Sequence, residues 1–190
     1  MKRLRGAAVV AVLSGVLLAG CSGAGRNSAF CGGGEVQTLI LMAQAVPSAT
    51  WVPCISELPA GWSYGGDSIA NGKAQFWLDS DRAGVQAVTV TLTESCDVGD
   101  AVEVPVGSEE PGITRYEDPQ SLPPHFTGNR YDVFDGGCVT YRFDFAKDSS
   151  STLVFEADNA LSMRSRTKGA QELFKDGIKL CGAGIPPCPG

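Results

Sequence analysis

The sequence predicts an α+β domain, in which an antiparallel sheet built from two similar three-stranded units is flanked by an N-terminal and a C-terminal helix. Apolar residues recur at helical spacing over residues 35–46 and 167–180. Between them, short alternating or β-branched runs are separated by turn pairs such as Asn71-Gly72 and Asp135-Gly136, which predicts hairpins. The seven cysteines lie far apart, which favours stapling disulfides over zinc ligands.

The first twenty residues are typical of a signal peptide. Lys2, Arg3 and Arg5 form a positive start. The apolar run that follows, Gly6–Ala19, is shorter than the about 20 residues that a membrane-spanning helix needs. We therefore expect residues 1–20 to be removed from the mature protein.

The apolar run ends in Leu18-Ala19-Gly20-Cys21, which resembles the lipobox of bacterial lipoproteins. The resemblance implies that Cys21 carries diacylglycerol and anchors the protein at the extracytoplasmic face of the cell membrane. Residues 21–34 are polar and glycine-rich, as in a flexible tether, and residues 35–190 remain as one domain. The overall composition resembles that of small actinobacterial lipoproteins, which implies a location and no activity.

Six cysteines remain once Cys21 is assigned to lipid, and an even number in an exported domain predicts three disulfides. Sequence alone allows 15 pairings. If the two units abut along the third strand of one and the middle strand of the other, Cys96 and Cys138 meet at the same end of the sheet. The other cysteines then pair locally, as Cys31–Cys54 and Cys181–Cys188, with Cys54–Cys181 as the open alternative.

Each predicted element follows from its own pattern. The first helix, Glu35–Val46, has apolar residues at helical spacing and stops before Pro47. Val85–Glu94 is the clearest strand, because apolar residues alternate with threonines. The acidic, proline-rich stretch 99–112 is expected to be a loop with one edge strand at Val102–Val106. The second helix spans about Thr167–Leu180, with an apolar face made of Ala170, Leu173, Phe174 and Ile178.

An internal repeat supports the two-unit sheet. A shift of 64 positions aligns the Leu-Pro and Asn-Gly turns of residues 58–94 with the Leu-Pro and Asp-Gly turns of residues 122–157. Aromatic residues and a strand occupy matching places between those turns. The repeat predicts the third strand of the second unit at Thr152–Phe155.

The net negative charge of the chain limits the classes of molecule that it is expected to bind. The formal net charge is −6, and residues 1–20 contain basic but no acidic side chains, so the expected mature chain is more acidic still. An acidic domain does not neutralise phosphates, and we expect no nucleic-acid partner. The expected partners are the membrane, through the lipid, and either an envelope protein or a small apolar ligand.

One motif offers catalytic chemistry. Gly61-Trp62-Ser63-Tyr64-Gly65 matches the GxSxG of serine hydrolases, and the single histidine, His125, would be its base. A nucleophile elbow leads into a helix, whereas this motif precedes the Asn71-Gly72 hairpin. The preferred interpretation is therefore a non-catalytic binding or accessory module of the cell envelope, and a hydrolase that uses Ser63 and His125 is the alternative.

The remaining signals favour ordinary structure. Asp79–Gly84 begins like a calcium loop but lacks the acid that such a loop needs at its twelfth position, so a hairpin turn is expected, with no metal or cofactor. Arg164, Arg166 and Lys168 are expected to be solvated, with an acidic partner or head group as the alternative. The clustered aromatic residues are expected mainly in the core, with at least one facing outward.

Overall fold

The computed structural model describes residues 29–32, 37–107, 110–146, 151–175 and 177–183. It contains the elements α1 (Gln37–Ala45), β1 (Trp51–Ile55), β2 (Trp62–Ala70), β3 (Lys73–Ser80), β4 (Gly84–Thr93), β5 (Val102–Val104), β6 (Thr114–Ser121), β7 (Thr127–Phe134), β8 (Gly137–Asp144), α2 (Ser151–Ala160), β9 (Leu161–Ser165) and α3 (Arg166–Lys175). Within these ranges, no helix has the length and apolar character needed to cross a membrane. The predicted signal peptide, Cys21 and Cys188 lie outside the described residues. The predicted α+β class is confirmed.

Seven strands form one antiparallel sheet in the order β2-β3-β4-β8-β7-β6-β5. The first unit consists of β2, β3 and β4, and the second of β6, β7 and β8. The two units meet where β4 pairs with β8. Alternation along the central strands buries one face of this sheet, whose apolar side chains are Phe76, Leu78, Val88, Val90, Leu92, Val139, Tyr141 and Phe143.

Two helices and a small second sheet complete the fold. Helix α1 packs against β1, β2 and β3, and β1 pairs with β9 in the separate two-stranded sheet. Helix α2 is tied to both units of the large sheet. Its Glu156 accepts hydrogen bonds from Arg82 at 2.5 Å and from Trp62 Nε1 at 3.0 Å in the first unit, and its Asp158 pairs with Arg130 in the second. The hydrogen bond from Arg82 lowers the pKa of Glu156.

The two predicted hairpins are present, but the second unit is completed differently from the prediction. The β2–β3 and β7–β8 hairpins turn at Asn71-Gly72 and Asp135-Gly136. The predicted strand at Thr152–Phe155 is wrong, because these residues lie in helix α2. The third strand of the second unit is β6, which precedes the hairpin. The predicted edge strand is confirmed as β5.

The terminal helices agree with the prediction in place but not in length. Helix α1 lies inside the predicted range, and the predicted residues 35 and 36 lie outside the described part of the chain. Helix α3 ends at Lys175, well before Leu180. Gly177, with a φ of 76°, ends it in a Schellman motif: Gly177 N donates to Phe174 O and Ile178 N donates to Leu173 O. The predicted apolar face is wrong at Phe174, which is 73% exposed, and at Ile178, which lies beyond the end of the helix.

Two disulfides link distant parts of the described chain, Cys31–Cys54 and Cys96–Cys138. These are the pairings that the sequence analysis favours for these four cysteines. Cys138 lies opposite Thr93 where β4 pairs with β8, so the end of β4 meets the start of β8. The prediction that Cys138 opens the middle strand of its unit is wrong, because β6 pairs with β7 and leaves β8 at the edge of the unit. Cys181 is also disulfide-bonded, and its predicted partner Cys188 lies outside the described residues.

The two hairpin turns provide a matched test of packing. Gly72 and Gly136 both have positive φ angles, 78° and 71°. A Cβ at Gly72 would meet nothing within 4 Å, whereas a Cβ at Gly136 would collide with the carbonyl of Ser48. We expect Gly72→Ala to lower the free energy of unfolding by roughly 1 kcal/mol, from backbone strain alone. Gly136→Ala should cost roughly 2–3 kcal/mol in the same urea titration, because strain and collision add.

An equal loss of stability in both variants would contradict the close contact between the Asp135-Gly136 turn and the segment before β1. That segment is also hydrogen-bonded to the turn, because Thr50 N and Thr50 Oγ1 both donate to Asp135 O.

Candidate functional site

An open groove lies between α1, β1 and α3. Its cavity volume is about 250 Å³. The apolar part of its lining is made by Leu39, Ile40, Ala43, Val52, Leu173 and Leu180. Segments that are distant in sequence therefore combine to form one mainly apolar concavity, which we call the groove.

Helix α1 forms one wall of the groove because Leu39, Ile40 and Ala43 lie on one side of the helix. Leu41, which follows Ile40 in the helix, does not line the groove and is 52% exposed. The opposite wall belongs to α3, where Gly169 and Leu173 are one turn apart. Because Gly169 has no side chain, this wall is recessed near the start of α3.

The lining of the groove also contains two charged residues that pair with each other, Arg164 at the end of β9 and Glu172 on α3. The two side chains form an ion pair. The side chain of Arg164 is 22% exposed and that of Glu172 is 58% exposed. The groove is therefore a mainly apolar concavity whose lining includes an ion pair.

Arg166, the first residue of α3, also lines the groove and is only 1% exposed. Its Nε donates to Ala49 O at 2.6 Å and its Nη1 to Cys181 O at 2.9 Å. Its Nη2 donates to Val46 O at 2.7 Å and to Ala43 O. Burial lowers the pKa of Arg166. Its guanidinium therefore holds together the end of α1, the segment before β1 and the segment after α3.

The prediction that the basic run is solvated is wrong for Arg166 and for the paired Arg164. Lys168 is exposed, as predicted. The reason for the error is that α1 ends with free carbonyl groups, which need donors once they are buried. Cations are also favoured at a helix C-terminus, which is where Ala43 O and Val46 O accept from Arg166.

A second group of charged residues lies on the buried face of the second unit. Arg115 donates to both carboxylate oxygens of Asp132, at 2.6 and 2.9 Å, and to Glu110 at 3.2 Å. The hydrogen bonds that Arg115 donates to Asp132 raise the pKa of Arg115. Neighbouring Arg130 pairs with Glu117 and with Asp158 of α2. Because each cation has acidic partners, this cluster is a structural network that replaces apolar packing between β6, β7 and α2.

The GxSxG motif forms part of a strand. Ser63 is the second residue of β2 and is exposed, whereas its neighbours Trp62 and Tyr64 are buried. A Cβ at Gly65 or at Gly66 would collide with the ring of Trp77 on β3, so both glycines make room for that indole. The geometry differs from a nucleophile elbow, in which the serine lies between a strand and a helix.

His125 is exposed in the connection between β6 and β7, where its carbonyl accepts a hydrogen bond from Ser121 Oγ. Over the part of the chain that the structure describes, no hydrogen bond links Ser63 to His125. Whether the protein is an enzyme stays a prediction from the sequence.

The predicted hairpin turn at Asp79–Gly84 joins β3 to β4. Asp79 Oδ1 accepts from Gln86 N at 2.7 Å, and Ser80 Oγ accepts from Ala83 N at 3.2 Å, so these side chains stabilise the turn. Among the described residues, no three histidine, cysteine or acidic side chains are grouped so that they could hold a metal ion.

The aromatic residues lie mainly in the core. A cluster of edge-on and tilted rings joins Trp62, Phe126, Phe143 and Phe145 at one end of the sheet. Trp77 and Tyr131 are half-buried and belong to the opposite face of the sheet, as alternation along β3 and β7 requires. This outward face is the one that the sequence analysis expects to present at least one aromatic ring.

Comparison with protein-family models, curated proteins and solved structures found no match to this chain. The groove was not predicted from the sequence, because it depends on three segments that meet only in the folded chain. One feature of the sequence does indicate the groove. Helix α3 has no acidic residue in its first turn and has Arg166 and Lys168 there, the opposite of what a helix N-terminus normally favours.

Proposed function

We propose that this protein is a lipid-anchored, extracytoplasmic binding module that holds a small apolar ligand in the groove and catalyses no reaction. The groove is the observation that carries the proposal. An engineered apolar cavity of about 150 Å³ takes up benzene, so the larger volume here suits a longer apolar molecule. Its open side gives such a ligand a route in and out.

The lipid anchor is supported by the sequence alone, through the positive N-terminus, the short apolar run and Leu18-Ala19-Gly20-Cys21. A non-catalytic role is supported by the position of Ser63 within β2, because a nucleophile elbow lies between a strand and a helix. It is also supported by the composition of the groove, whose charged residues are already hydrogen-bonded to the protein.

The anchor can be tested by metabolic labelling with palmitate. We expect the wild-type protein to incorporate label and to stay in the membrane fraction. The full-length Cys21→Ser variant should incorporate none and should be found in the soluble fraction, because protein without acyl chains has no stable anchor. Wild-type protein that is as soluble as the variant would contradict the anchor.

Ligand binding can be tested with two neighbouring residues of α1, in the full chain that carries Cys21→Ser. Ile40 lines the groove and Leu41 does not. We expect Ile40→Glu to weaken the binding of dodecan-1-ol by roughly tenfold or more, because a carboxylate would have to be buried against the ligand. Leu41→Glu should leave the affinity within about twofold.

Equilibrium dialysis measures both affinities, and thermal unfolding followed by circular dichroism checks that both variants fold. Ile40→Gln serves in place of Ile40→Glu if the charged variant does not fold. A wild-type domain that takes up no dodecan-1-ol, or equal losses in the Ile40 and Leu41 variants, would contradict a ligand site in the groove.

A further inference from the structure

The charged residues that line the groove carry an excess of positive charge. They are Arg164, Arg166 and Glu172, and Arg164 is paired with Glu172. Within the ranges that the structure describes, Arg166 has no ion-pair partner, and all four of its hydrogen bonds go to uncharged carbonyl groups. The groove therefore contains one cation whose charge no described acid balances.

Arg166 also has donor capacity left. A guanidinium has five N–H groups, one on Nε and two on each terminal nitrogen. The four bonds of Arg166 use Nε, both hydrogens of Nη2 and one hydrogen of Nη1. One Nη1 hydrogen has no described acceptor, on a side chain that lines the groove.

The start of α3 adds to the positive potential. This ten-residue helix begins at Arg166 and has no acid in its first turn, and Ser165 and Gly169 beside it also line the groove. The backbone dipoles place partial positive charge at this end of the helix. The apolar walls and the excess positive charge of the lining therefore complement a molecule that has an apolar chain and an anionic head.

We propose that the ligand is a single-chain fatty acid, with its hydrocarbon chain along the apolar walls and its carboxylate at Arg164, where the charge of Arg166 and the start of α3 add to the positive potential. This inference rests on the proposed function. A cavity of about 250 Å³ lies just below the usual range of about 300–1,000 Å³ for ligand pockets, which favours one acyl chain over the two of a phospholipid. A carboxylate matches the planar donor geometry of a guanidinium.

Glu172 is the competing group in this arrangement. Its carboxylate pairs with Arg164 in the described structure and is the more exposed of the two side chains. An incoming carboxylate would replace Glu172 as the partner of Arg164, and Glu172 would turn to solvent. Removal of its charge should therefore strengthen the binding of an acid, whereas loss of Arg164 should weaken it.

The test compares dodecanoate with dodecan-1-ol, which share a chain and differ in head group, by equilibrium dialysis against the full chain carrying Cys21→Ser. We expect dodecanoate to bind at least about tenfold more tightly than the alcohol, the effect of one charge-assisted hydrogen bond. Arg164→Gln should remove most of this preference, measured as the ratio of the two affinities in the same variant. Glu172→Gln should increase it, and Lys168→Gln, in the same basic run but outside the groove lining, should not change it.

The outcomes separate the inference from the proposed function. Equal affinity for acid and alcohol, or a preference that survives Arg164→Gln, would overturn the fatty-acid assignment and leave an apolar ligand site in place. Failure of both probes to bind would overturn the ligand site itself. If Arg164→Gln does not fold, a preference for the acid that Glu172→Gln fails to increase overturns the assignment.

Discussion

Replacement of Arg166 by methionine is expected to lower the free energy of unfolding by roughly 4 kcal/mol or more. Methionine fills similar space but donates no hydrogen bond. The buried carbonyls that Arg166 satisfies, among them Ala43 O and Ala49 O, would then lack donors. Each such group costs about 1–3 kcal/mol, partly offset because a buried charge is also removed.

Urea unfolding measures this effect, and Arg142→Met is the matched control. Arg142 is 67% exposed and pairs at the surface with Asp144, so its loss should cost less than about 1 kcal/mol. Arg166→Lys should fall between the two, because one ammonium group cannot reach acceptors spread around a planar guanidinium. A similar loss of stability in Arg166→Met and Arg142→Met would contradict the structural role of Arg166.

Asp132→Asn is expected to cost roughly 3–5 kcal/mol, the second large effect. Asp132 is 0% exposed, and both of its oxygens accept from Arg115. Asparagine keeps the shape but loses the charge and presents an amide group to the guanidinium. Arg115 would then keep only Glu110 as an acidic partner, at 3.2 Å.

A double-mutant cycle separates the pair from its surroundings. If Asp132 and Arg115 interact as described, Arg115→Met combined with Asp132→Leu should cost clearly less than the sum of the two single substitutions. The exposed pair gives the control, since Asp144→Asn should lower stability by less than about 1 kcal/mol. Additive effects of the Arg115 and Asp132 substitutions would contradict a direct interaction.

Strands in which apolar side chains alternate with polar ones were predictable from the sequence. Prediction failed for strands whose core-facing side chains are charged. Val85–Glu94 indicates a strand because its valines and leucine alternate with threonines, and β4 lies there. In β6, the core-facing positions are Arg115 and Glu117, so that the hydrophobic pattern is absent. Their charges are balanced by residues on β7, which local sequence does not reveal.

The error at α2 has a different origin. Thr152–Phe155 is β-branched and apolar, and the 64-residue repeat places a strand there. The position beside β8 is already taken by β4, which pairs with it through six residues, and β7 occupies the other side. With no free neighbouring strand, tertiary contacts such as Glu156 with Arg82 decide in favour of a helix.

The candidate site was the least predictable part of the molecule. Arg166 lies in a basic run that looks solvated, and its acceptor Ala43 O is 123 residues away in sequence. The groove was unpredictable for the same reason. Leu39, Val52 and Leu173 form a concavity only after α1, β1 and α3 have packed. Residue type and spacing encode elements, whereas a concavity between elements depends on how they pack.

The Cys31–Cys54 disulfide determines how the domain responds to mechanical force. Cys31 N donates to Ile55 O and Ile55 N donates to Ala29 O, so the segment that enters the domain lies beside β1 before the covalent link is reached. Tension applied from the N-terminal side therefore passes through Cys54 into β1 and then into its five paired residues on β9. Helix α1 lies in the loop that the disulfide closes between Cys31 and Cys54. The pulling force therefore bypasses α1 and the wall of the groove that this helix forms.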